Sequence, residues 1–147
     1  MQNTAFHYLY RDAGNYKSYG RAVFAGKFND KLKSRLENAL SDGQFFIAAQ
    51  IGVPEVFLWA EKANYDPNDK SSMPSGLSAG NYAINDDDHC WHEFGGLELT
   101  SLEPTDLRSI DHFIGDVEGI TNTDWEVFNP CDRAPLSVQT RLQHRGN

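Results

Sequence analysis

Phe6-His7-Tyr8-Leu9-Tyr10-Arg11, then Asp12-Ala13-Gly14-Asn15, then Tyr16 to Phe24, is the stretch that decides the fold. The first six residues are aromatic and strand-prone, and the next four form a turn cluster. The return to Phe24 completes a β-hairpin, with Gly20 as a bulge or a point of close approach. Asn29 then stands as a helix N-cap with Asp30 in the first turn. Leu32, Leu36, Ala39 and Leu40 recur at i, i+4, i+7 and i+8, one apolar helical stripe, and Gly43 is a stop signal.

Beyond the first helix, Phe45 to Ile51 is a near-continuous apolar run that reads as a strand covered on both faces. Val56-Phe57-Leu58-Trp59 reads as a further buried strand. Residues 64–85, rich in Pro, Gly and Ser, read as a long flexible loop. Cys90 to Leu99 forms a strand interrupted at Gly95-Gly96. Thr105 caps a second helix with Leu107, Ile110, Phe113, Ile114 and Val117 on its buried face. Trp125 to Phe128 gives a last strand, and a short polar tail begins at about residue 135. The order predicts an α+β fold: an antiparallel or mixed sheet of about five to six strands with two main helices on one face. One globular domain covers residues 1–147.

A chain of this length buries a core without staples, and 39% hydrophobic content fits a folded domain. No apolar run approaches the roughly 20 residues needed to cross a bilayer. Met1 to His7 has neither the basic start nor the apolar core of a signal peptide, so Cys90 and Cys131 are expected as reduced thiols in a cytoplasm. Net charge is −8, unevenly spread: residues 86–126 hold twelve Asp/Glu against Arg108 alone, whereas residues 1–40 are net basic. That acidity opposes binding of nucleic-acid phosphates. It suits a solubilising face, a charge-matched partner such as a second copy of the chain, or mimicry of a phosphate backbone.

Asp86-Asp87-Asp88-His89-Cys90-Trp91-His92-Glu93 concentrates the groups that ligate metals and move protons. Asp86, Asp88, His89 and His92 are the weak metal candidates, with no recognised spacing. An EF-hand fails because Cys90 stands where Gly is needed. His92, Glu93 and His89 are the acid–base candidates, with His7 and His112 in reserve. An extended backbone sends Cys90, His92 and Phe94 to one side and His89, Trp91 and Glu93 to the other. The plainer expectation is that His92 packs in the sheet and bonds a backbone group.

Tyr8, Tyr10, Tyr16 and Tyr19 interleave with Arg11 and Lys17 in the hairpin. Exposed tyrosine with arginine is typical of protein interfaces, so these six residues are the expected interaction surface.

Tyr8-Leu9-Tyr10-Arg11-Asp12 with Asn15-Tyr16-Lys17, then Phe45-Phe46-Ile47, Pro54 to Trp59, Asp87-Asp88-His89 and Trp91-His92-Glu93-Phe94, resembles a set of short, uncharacterised bacterial proteins of the mobile-element and integron-cassette kind. The resemblance spans roughly the first two-thirds of the chain and implies no activity. The reading is therefore an accessory module, binding a protein or ligand without catalysis or cofactor, as a homodimer or with a protein partner, away from membranes and nucleic acid. Metal-assisted hydrolysis by the Asp86–Glu93 run is the enzyme alternative, and acidic nucleic-acid mimicry is the third.

Overall fold

The computed structural model describes residues 2–58, 84 and 86–131. The expected 64–85 loop, apart from Ile84, and the tail from 135 lie outside the described residues. Strands β1 (Asn3–Arg11) and β2 (Lys17–Phe24) form the hairpin, paired from Thr4↔Phe24 to Arg11↔Lys17. Helix α1 (Asp30–Ala39), the two-residue strand β3 (Phe45–Phe46) and a single helical turn α2 (Ala48–Ile51) follow. Strand β4 (His92–Thr100) and helix α3 (Ile110–Thr123) complete the order. The sheet is antiparallel with order β2-β1-β4-β3. The class is α+β.

Gly20 makes the close approach its sequence setting suggested. A Cβ there would sit 2.6 Å from Tyr8 Cζ, so only hydrogen lets the Tyr8 ring lie over β2. Gly95 and Gly96 build a bulge opposite His7 and Tyr8, with Gly96 at φ +135°, where L side chains are rare. The bulge has a packing consequence. Phe94 and Leu97 are three residues apart and would face opposite sides of a regular strand. The extra residue pairs Phe94 with Tyr8 and Leu97 with Phe6, so both turn to the core.

Phe6, Tyr8 and Tyr10 of β1 and Ala22 and Phe24 of β2 bury against the helices. Phe24 stacks on Phe113 of α3 at 4.1 Å, and Phe6 meets Phe113 edge-on at 5.1 Å. Asn29 caps α1 by accepting from the Leu32 N–H. Leu36 and Ala39 are its buried residues. Arg35 of α1 grips Glu118 of α3, and the Thr121 hydroxyl donates to the Ala39 carbonyl, so the helices are tied at two points.

Four strands are described, against the five to six expected. Phe45 to Ile51 divides into β3 and α2, because Gly52 at φ +76° closes a helical turn whose Ala48 and Ile51 are buried. Residues 53–58 are irregular, held by Tyr8 Oη–H donating to the Pro54 carbonyl and by His92 accepting from Val56. Trp125 to Phe128 runs without ladder pairing, Phe128 meeting Phe57 edge-on. The second helix starts at Ile110, capped by Ser109 rather than Thr105. Thr105 instead accepts the Val23 N–H at the edge of β2, which leaves Leu107 fully exposed and not on the buried face.

Candidate functional site

The alternation expected of the Asp86–Glu93 run is present. Cys90 and His92 are buried on the core side, and Trp91 and Glu93 lie on the other. His92 is fully buried among the rings of Phe57, Tyr10, Phe46 and Tyr8, at centroid distances from 4.8 to 6.2 Å. Its Nε2 accepts from the Val56 N–H at 3.0 Å, and its Nδ1 has no hydrogen-bond partner among the described residues. Burial pushes this imidazole down to about 3, a shift the Cys90 carbonyl opposes and His89 reinforces. His92 is a neutral core residue, out of reach of a substrate.

The rest of the run is bolted to the hairpin. Tyr10 Oη–H donates to Asp88 Oδ1 at 2.5 Å, and the Ala13 N–H donates to the Asp87 carbonyl. Burial and the hydrogen bond to Asp88 both raise the Tyr10 phenol. His89 is held at both nitrogens: Nε2–H donates to the Arg11 carbonyl at 2.7 Å, and Nδ1 accepts from the Trp91 N–H at 3.1 Å. Those bonds fix its tautomer and occupy the lone pair a metal would need. Among the described residues no group of three or more His, Cys, Asp or Glu is placed to hold a metal ion. Asp86, Asp88, His89 and His92 therefore make no metal site there: both imidazoles flank the Tyr10 ring, but His89 is spent on Arg11 and Trp91 and His92 is buried in the core. His7, 3.2 Å from Glu98, and His112, on the exposed side of α3, are also remote from the run.

The two regions singled out in the sequence are thus one. Tyr8 and Tyr10, expected at an interface, are core residues, since the pleat that turns the half-buried Leu9 and Arg11 outward turns them inward. Arg11 grips Glu93 through Nε at 3.0 Å and a second N–H at 3.4 Å, and it reaches Asn15 Oδ1 at 2.6 Å. Of the six hairpin residues, Tyr16 and Tyr19 remain exposed and Lys17 is half-buried.

What the union creates is a cleft of about 500 Å³ lined by Arg11, Asp12, Ser41, Asp42, Phe45, His89, Trp91 and Glu93. It lies at the end of the sheet face that α1 and α3 do not cover. Ser41 and Asp42 come from the turn between α1 and β3 and Phe45 opens β3; the Ser41 and Phe45 backbones bond each other and Asp42 takes φ +52°. Trp91 is braced edge-on by Trp125 at 6.0 Å. Sequence reasoning missed Asp12, Ser41, Asp42, Phe45 and Trp91 as site residues. The one available signal was Ser41-Asp42-Gly43, a turn cluster directly before an aromatic strand. Compared with family models, curated proteins and solved structures, the chain matches none.

Proposed function

We propose that this chain is a non-catalytic binding module that takes its ligand in the cleft beside Trp91. The carrying observation is the use made of the Asp86–Glu93 run. Its imidazoles are engaged or buried by the fold, and Glu93 is spent on Arg11, so the segment forms a wall and not a reactive centre. Volumes of roughly 300–1,000 Å³ with aromatic walls and a few charged groups are typical of small-molecule sites. A thermal-melt screen with ligands of mixed charge tests it. Ligands that bind the cleft raise the melting temperature of the native chain and fail to raise that of Trp91→Ala. A screen in which no ligand acts, or in which Trp91→Ala responds equally, contradicts the reading.

Hydrolysis and mimicry are less well supported. No helix among the described residues is long and apolar enough to cross a membrane, in keeping with a module that works away from bilayers. The acidic residues of 86–126 are scattered: Glu93 and Glu98 stand on the sheet, Asp111, Asp116 and Glu118 on α3. All five already pair with Arg11, Arg35, Arg108 or His7. A phosphate-backbone mimic needs one continuous acidic surface.

A second copy of the chain is a further partner this sheet face fits. The exposed Tyr16 and Tyr19 of the hairpin would supply its apolar contact, and Lys17 of β2 could meet acidic residues of the other copy. Light scattering above 16.6 kDa that falls with added salt supports it, and 16.6 kDa at every concentration rejects it.

A further inference from the structure

The charge lining the cleft says which ligands it takes. Arg11 is the only cationic side chain in the wall among the described residues, and Glu93 and Asn15 already engage it. Against it stand three carboxylates, Asp12, Asp42 and Glu93. Asp12 is the telling one. It is only 8% exposed, yet no cation lies within ion-pair distance of it among the described residues. One of its oxygens accepts from the Tyr16 N–H at 2.9 Å, and the other has no partner among the described residues. That second oxygen is not a buried orphan: it is open to the cleft that Asp12 lines, where a positive group can reach it. Asp42 is exposed at the rim on its left-handed backbone, and it has no ion pair among the described residues either. Trp91 and Phe45 supply the apolar walls, and an indole face attracts cations.

We propose that the cleft binds a small organic cation, a protonated amine held by Asp12 and Asp42 with its apolar body against Trp91 and Phe45. The assignment deepens the binding-module reading and rests on it. An anion would meet a wall with two uncompensated negative charges. His89 adds no positive counterweight while its Nδ1 accepts the Trp91 N–H. A divalent metal would find no group of three ligands among the described residues.

Three probes share one body and differ in charge: phenethylamine, 2-phenylethanol and phenylacetate. Calorimetric titration of the full chain should show phenethylamine binding at least about tenfold more tightly than 2-phenylethanol, the usual weight of a charged hydrogen bond. Phenylacetate should not bind. Asp12→Asn keeps the acceptor for Tyr16 and removes the charge, and it should erase the preference for the amine. Asp42→Asn, at an exposed position that cannot unfold the chain, should weaken the amine several-fold. Equal binding of the amine and the alcohol, or tighter binding of phenylacetate, overturns the cation assignment and leaves the binding module standing. Silence from all three overturns the assignment as well, while the mixed-charge screen decides the broader reading separately.

Discussion

Tyr10 and Asp88 are joined by a 2.5 Å hydrogen bond that docks the acidic-histidine run onto the first hairpin. The same phenolic oxygen accepts the His89 N–H at 3.3 Å, so one hydroxyl sets the path of the chain into β4. Removing it should loosen the cleft wall without touching the cleft itself. Tyr10→Phe is expected to cost about 1.5–3 kcal/mol, the range for hydrogen bonds to charged groups. Hydrogen exchange at the Ala13 and His89 amides should accelerate. Unchanged exchange at both amides would show that the run is held by other contacts.

Gly20 gives a second, steric test. Gly20→Ala drives a methyl group into the Tyr8 ring, where the nearest atom would be 2.6 Å away, and overpacking of that kind costs about 1–3 kcal/mol. Gly115 and Gly119 of α3 have open space around a built Cβ, so Ala at either should stabilise by about 0.5–1 kcal/mol through helix propensity. Urea melts of the three variants read both signs at once.

Much of this fold was legible in the sequence. The hairpin, the Asn29 cap, the Leu32, Leu36, Ala39 and Leu40 stripe and the Gly95-Gly96 interruption all carry local signals that the structure uses. Phe45 to Ile51 was not legible. A continuous apolar run has no period, and Gly52 at φ +76° turns half of it into helix. Leu107 misled because residues 102–108 serve the edge of β2 instead of continuing the helix. For the site, Arg11, His89 and Glu93 were visible singly. Their meeting with Asp42 and Phe45 depends on strand order β2-β1-β4-β3, which no local pattern encodes.

His92 makes stability depend on pH. Its folded value is about 3, against about 6.5 in an unfolded chain. Between those values the unfolded state holds the extra proton, so acidification favours unfolding. Stability should fall as pH drops below about 6.5, with a slope from this residue of up to about 1.4 kcal/mol per pH unit, continuing toward pH 3. His92→Leu should flatten that part of the profile in denaturant melts. An identical slope in both proteins would mean the imidazole is protonated inside the fold.

Arg108 fastens the start of α3. It binds Asp106 through two N–H groups and donates to the Ile51 and Gly52 carbonyls, with its guanidinium 5.1 Å from the Phe113 ring centroid. The pairing holds the Asp106 carboxyl below its ordinary range. Arg108→Lys keeps the charge and loses the planar fork, so a cost of about 1–3 kcal/mol is expected by thermal or chemical melt. A neutral outcome would show that charge alone suffices there.

The cleft beside Trp91 is the central claim, and amide chemical-shift mapping of the full chain in the presence of a metal chelator tests it most directly. Titration with phenethylamine is expected to move the signals of Ser41 to Phe45, Arg11, Asp12 and Trp91, and to leave α3 unmoved. Shifts that appear only after divalent metal is restored, or that centre on His92 and Cys90, would contradict the claim and return the Asp86–Glu93 run to the role of a reactive site.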